Sequence, residues 1–257
     1  MELTFLTVKQ IFEMSGVVSQ ICEAIDYAKL QNYSVSSCSW WTKNISPIVG
    51  YIYIVDVDKD RLFSSHLPED YSIGIRFVLN QCNIDKLDIN DKKIEFGSFP
   101  QNAVSKDVQK ELENLYQNNK LIKTNKTYIN ADNTYNNEFI LNNKKYIRVF
   151  NKYGNGSSDY VWIEVSPIIW TYYKKDNILI ADDLLYTGIP FNDIYKNGGK
   201  DNSDFKNTSI YKFMNTYLIK DMFDNVSINN EKDASKEFVS IDNKIKTLRK
   251  RIDNITK

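Results

Sequence analysis

One histidine, His66, is all the chain carries, and its three cysteines, Cys22, Cys38 and Cys82, contain no CxxC pair. Zinc sites draw several Cys or His ligands at short spacing. Serine and cysteine nucleophiles need a positioned base. His66 lies in the polar stretch SSHLPED (64–70), where a solvated side chain is expected, so neither chemistry is supported. An excess of charge of one sign is missing too, with 33 basic against 33 acidic side chains. That balance argues against nucleic acid, because backbone-driven binding needs a broad basic footprint. No run approaches the ~20 apolar residues of a membrane span. The opening MELTFLTVKQIFEMSG has no basic region followed by an apolar stretch, so no secretion signal is expected. Few thiols, odd in number, fit a reduced, cytoplasmic or virion-associated product.

Metal and phosphate motifs also fall short. Asp56, Asp58 and Asp60 in DVDKD copy the start of an EF-hand loop. Arg61, however, holds the required glycine position and Leu67 that of the bidentate glutamate, so a hairpin turn is the better reading. GNGSSD (154–159) lacks the Lys-Ser/Thr of a phosphate loop. Asp182 and Asp183 are neighbours, which on a strand puts them on opposite faces. No metal or cofactor is expected.

What is present is apolar and aromatic material: 42% of the 257 residues are hydrophobic and 13% aromatic. A chain of this length buries roughly 70–75% of its unfolded surface. Thr7 predicts the cap of a short helix through Met14. Spacing of Val18, Ile21, Cys22, Ile25 and Ala28 predicts a second helix from about Val17 to Leu30, with Cys22 on its buried stripe. YIYIVDVD (51–58), IGIRFVLN (73–80), KYIRVFN (145–151), YVWIEVSPIIW (160–170) and NILIADDLL (177–185) read as strands. Ser105 predicts a helix cap ahead of Val108, Leu112 and Leu115, and Thr208 or Ser209 another ahead of Ile210 and Phe213. Residues 117–144 read as an Asn- and Lys-rich stretch with turns. The polar segment from Cys82 to Lys93 suggests a boundary, giving lobes at 1–91 and 92–232 and a C-terminal helix at 233–257. In that helix Ile241, Ile245, Leu248, Ile252 and Ile255 recur at 4-3-4-3 spacing, a seam for packing on its own domain or for homo-oligomerisation.

The stretch IEFGSFPQ (94–101) is the most ordered motif. Gly97 permits a bend or a close backbone approach, Pro100 favours an extended Phe99 and an end to the ladder, and Gln101 can tie a loop to backbone. Phe96 and Phe99 supply buried area, so a structural corner is expected. Further on come SPIIW (166–170), ILIADDLL (178–185), PFN (190–192) and TSIYKFMN (208–215). This series, over about residues 93–225, resembles a group of bacterial and phage domains similar to the C-type-lectin-like fold, which formylglycine-generating enzymes and variable phage adhesins share. WWT (40–42) and GIRF (74–77) echo the closing part of such domains in rotated order, so a permuted fold and an added half-domain both stay open. The resemblance implies an α+β class with short antiparallel strands, several helices and long loops.

No cysteine falls inside the matched segment, so what the resemblance implies is scaffold and not reaction. The expected function is non-catalytic recognition of a protein or glycan partner through aromatic and Asn-rich loops. Trp40, Trp41, Tyr172, Tyr173 and Asn192 are the candidate contacts. Two alternatives stay open: an oxidoreductase like the formylglycine-generating enzymes, and an oligomeric assembly protein.

Overall fold

A computed structural model describes residues 2–14, 22–32, 39–48, 50–56, 61–80, 93–152, 160–193 and 204–223. The heptad seam, Cys38 and Cys82, Asp58 and Asp60, the GNGSSD loop and residues 82–92 of the expected boundary lie outside them.

Eleven strands form two sheets among the described residues. In chain order they are β1 (Glu2–Thr4), β2 (Trp40–Ile45), β3 (Ile52–Asp56), β4 (Arg61–His66), β5 (Val78–Asn80), β6 (Lys93–Ala103), β7 (Ile122–Ile129), β8 (Tyr135–Leu141), β9 (Lys144–Phe150), β10 (Tyr160–Tyr173) and β11 (Ile178–Ala181). The helical pieces are short: α1 (Val8–Glu13), α2 (Asp26–Gln31), α3 (Lys106–Gln117), α4 (Ser209–Phe213), a π turn (Met214–Leu218) and α5 (Ile219–Met222). The expected α+β, lectin-type class is therefore corrected to a mostly β architecture of two antiparallel sheets. The expected helix over 17–30 is tested from residue 22 onward: among the described residues of that span only Asp26–Gln31 is helical, and Ala24 instead bridges Leu184 in parallel. The polar 117–144 stretch holds a hairpin, β7 with β8.

The large sheet is organised by the fourteen residues of β10. β6 runs antiparallel along one edge of it. On the other edge, β9 takes Tyr160–Val165 and β11 takes Trp170–Tyr173. The sheet therefore forks, with β9, β8 and β7 on one branch and β11, β5 and β1 on the other. Because β1 and β5 come from the first 80 residues, the described N-terminal residues share their core with the rest: one hydrophobic cluster reaches from Leu3 to Phe223. The smaller sheet, β2-β3-β4, joins the body through the Trp41 N–H bonded to the Gly74 carbonyl and the Gly74 N–H bonded to that of Ser39.

IEFGSFPQ lies within β6 and works as a corner, but Pro100 does not end the strand. Register shifts against β10 place one extra β6 residue between Glu95 and Ser98 and another between Pro100 and Ala103. Such bulges bend a strand and re-aim its side chains. Gly97 has φ +69°, and a Cβ there would lie 2.6 Å from the Phe223 ring and 2.9 Å from the Met222 carbonyl oxygen. Gln101 Nε2 donates to the carbonyls of Ser166 (3.1 Å) and Pro167 (2.6 Å), and Phe99 is wholly buried.

Asparagine closes the corners. All five described non-glycine residues with positive φ are asparagines: Asn119, Asn133, Asn142, Asn143 and Asn177. Asn142 and Asn143 form the two-residue loop between Leu141 and Lys144, with the positive φ at both positions that a type I′ hairpin requires. Asn119 ends α3 in a Schellman arrangement: its N–H bonds to the Tyr116 carbonyl, and that of Lys120 bonds to Leu115.

Gly97→Ala combines left-handed strain with a contact that must open. Equilibrium denaturation should show a loss of about 2–3 kcal/mol, whereas Gly50→Ala, with nothing within 4 Å, should cost less.

Candidate functional site

The aromatic contacts expected from sequence are core residues. Trp40 and Trp41 are both buried, because β2 is covered on both faces: the Arg76 guanidinium lies 5.4 Å from the Trp40 ring, and Phe191 packs 5.4 Å from Trp41. Tyr172 and Tyr173 are buried along β10, the Tyr172 hydroxyl bonding to Asn177 Oδ1 at 3.1 Å. Asn192 is enclosed and accepts from the Ser209 N–H at 3.2 Å, next to the Thr208 cap of α4. None of the five presents a contact surface. Cys22 is buried, and with the other two thiols outside the described residues no cysteine pair is defined.

His66 ends β4 and is held by Asp70, Nδ1 to Oδ2 at 3.0 Å. Burial raises the Asp70 carboxyl, but the Ser72 hydroxyl and N–H and the His66 ring together bring it below its ordinary value. No nucleophile bonds to His66 among the described residues. Asp182 salt-bridges Lys93 at 2.9 Å and accepts from Thr171, while burial and then the Asp182 charge push Asp183 upward. Among the described residues no group of three or more His, Cys, Asp or Glu side chains could hold a metal, and no helix is long and apolar enough to cross a membrane.

An open concave feature lies elsewhere, at the free ends of β8, β9 and β10. In β8, Tyr135, Asn137, Phe139 and Leu141 alternate onto one face; in β9, Lys144, Tyr146, Arg148 and Phe150 do so; in β10, Tyr160, Trp162 and Glu164. Register sets Phe139 beside Tyr146, Arg148 beside Trp162 and Phe150 beside Tyr160. Carried outward, the same count puts Asn137 beside Arg148 and Tyr135 beside Phe150. Helix α3 covers only part of this face. Its twelve residues span about 18 Å, and Leu112 seals Phe139, Tyr146 and Trp162 into a second small core. Beyond the helix the outer row stays open: Tyr135 is 55% exposed, Phe150 42% and Tyr160 43%.

This row borders a cleft of about 610 Å³, within the range for small-ligand sites. One wall is Tyr116, from the last turn of α3, packed edge-on to Phe139 and Trp162. The other comprises Gln31 and Asn32 at the end of α2, Tyr71, and the turn from Asn130 to Thr134. That turn is tightly fixed. Asn130 Oδ1 accepts from the Gln31 and Asn136 amides, and the Ala131 N–H donates to Gln31 Oε1. Just before it, the Ile129 peptide is clamped inside the protein: its N–H donates to Asp221 Oδ2 (2.9 Å), and its carbonyl accepts from the hydroxyls of Tyr27 (3.0 Å) and Tyr186 (2.7 Å).

The charges of the cleft cancel in pairs. Arg148 grips Glu113 in a two-point bridge at 2.9 and 2.8 Å, with its guanidinium 3.4 Å from the Tyr160 ring centre and 4.7 Å from that of Tyr116. The Arg148 hydrogen bond outweighs burial and, with Gln117 and Trp162, holds the Glu113 carboxyl down at about 2. Burial lifts Asp132, but Lys152 and Thr134 overcome it and hold this carboxyl too at about 2. Neither acid carries a proton near neutrality, so neither can act as a general acid. The hydroxyls of Tyr71, Tyr116, Tyr135 and Tyr160 and the Asn137 amide form no hydrogen bond among the described residues. The cleft thus offers ring faces, phenol hydroxyls and an amide, all without net charge.

None of these cleft residues is put forward from the sequence as a contact, although Tyr135 and Phe139 stand out as the large anchors of 117–144, because the lining comes from segments far apart in the chain. A signal existed: with Asn142-Asn143 taken as a hairpin loop, the alternation in YNNEFIL and KKYIRVF sets Tyr135, Asn137, Arg148 and Phe150 on one face. No protein-family model matches the chain, and neither a curated protein nor a solved structure is significantly similar to it.

Asp221 yields a pH prediction. Burial pushes its carboxyl from 3.8 up to about 7, partly offset by the Ile129 N–H and Lys126. A carboxyl raised in the folded state stabilises fully below its unfolded value, and that contribution is lost as pH rises through the folded one. Denaturation midpoints should therefore fall between about pH 4 and 7, by at most about 4 kcal/mol in stability. Asp221→Asn, which keeps an acceptor for Ile129, should flatten that slope.

Proposed function

We propose that this protein is a non-catalytic recognition protein that binds a neutral oligosaccharide in the cleft at the ends of β8, β9 and β10. The observation that carries the reading is the convergence of four unbonded tyrosine hydroxyls and an exposed three-ring row on one concave, charge-balanced site. Sugars present apolar C–H faces to aromatic rings and fans of hydroxyls to amides and phenols, and tyrosine supplies both kinds of contact on a stiff side chain. The cleft volume suits a short oligosaccharide, whereas stable protein partners bury about 800 Å² per side.

Binding is favoured over hydrolysis by the carboxylates. Glycoside cleavage needs two, one of them protonated at working pH. Asp132 is the acid that lines the cleft, and it and the adjoining Glu113 are both held ionised by cationic partners.

The test is a panel of immobilised neutral oligosaccharides probed with the full-length protein. Wild type should be retained on at least one of them. Tyr135→Ala, which removes an exposed ring without touching the core, should weaken that retention about five- to tenfold. Retention of no member of the panel, or undiminished retention of the variant, would count against the reading.

A further inference from the structure

The outer row is not a flat platform. Phe150 and Tyr160 lie 5.4 Å apart with their planes tilted by 58°, so a single flat sugar ring cannot stack on both. Two tilted rings make an angular apolar notch, a shape that suits a methyl group. One row inward, the half-buried Asn137 side chain sits beside Arg148 by register and makes no hydrogen bond among the described residues. A free primary amide has both donors and an acceptor to offer. Arg148 adds no net charge, since Glu113 is bound to it at two points.

A notch for a methyl beside an amide that both donates and accepts describes one common sugar substituent, the acetamido group. We infer that the cleft selects N-acetylhexosamines: the acetamide N–H and carbonyl pair with the Asn137 amide, and the methyl packs against Phe150 and Tyr160. Tyr135, two positions from Asn137 on the same strand and the most exposed ring of the row, takes the pyranose face. A hydroxyl in place of the acetamide would meet one side of the Asn137 amide only and would leave the ring notch empty. This inference rests on the glycan reading of the cleft.

Isothermal titration of the full-length protein with chitotriose and cellotriose isolates the substituent, since the two share linkage and ring geometry and differ at C2. Chitotriose should bind at least about tenfold more tightly, as expected when a site's polar group would otherwise go unpaired. Asn137→Leu, close in size, should erase that preference by weakening chitotriose far more than cellotriose, with the thermal midpoint unchanged. N-acetylglucosaminyl-N-acetylmuramic acid as a third probe separates a cell-wall source from a chitin-type one. Equal affinity for the two trisaccharides, or a preference that survives Asn137→Leu, would overturn the acetamide assignment and leave the cleft a glycan site. If no saccharide binds at all, the glycan reading itself fails and takes this inference with it.

Discussion

A single strand with two different neighbours along one edge is the constraint on which this fold depends. β10 must satisfy β9 over Tyr160–Val165 and β11 over its last four residues, with β6 on its other side from Ile163 to Thr171. The handover lies near Ser166 and Pro167, where Pro167 supplies no N–H, and there the Gln101 amide reaches across from β6 to cap both carbonyls. The β6 bulges fall against the same stretch. Gly97 then lets Met222 and Phe223 close over the junction, with Phe223 4.8 Å from Phe96 and nearly parallel to Trp170. Without that corner the two branches of the sheet would have no common support.

The fork also creates the cleft. Once β9 leaves β10, its branch projects outward with β8 and β7, and α3 is too short to roof it. The uncovered strand ends would leave aromatic rings idle were they not walled by α2, Tyr71 and the Asn130 turn. Polar side chains there are mostly spent on one another, which keeps the walls rigid and leaves the phenols and Asn137 as the free recognition groups.

How much of this could be read from the residues varied with the range of the interaction. Local chemistry was legible: the Thr7 and Ser105 caps, the role of Gly97 as a point of close approach and the tie made by Gln101 all follow from their immediate neighbours. Pro100 was misjudged because a bulge absorbs its missing N–H inside a continuing strand. Trp40 and Trp41 were misjudged for a different reason. Alternation puts neighbours on opposite faces, but whether a face is wet depends on Arg76 and Phe191, far away in sequence. The cleft is non-local in the same sense, and β7 and β8 were overlooked because an edge hairpin with polar, Lys-bearing strands has little apolar alternation to announce it. Class was missed along with it, since the hairpin shifts the balance from mixed to mostly β.

The asparagine corners have a thermodynamic side beyond geometry. A glycine at each would relax the left-handed backbone but would also loosen the denatured chain, whose freedom must be surrendered on folding. By using asparagine at all five, the protein accepts slight torsional discomfort in the native state in exchange for a less disordered starting ensemble. Part of its resistance to unfolding is thus stored in a state that no folded structure depicts.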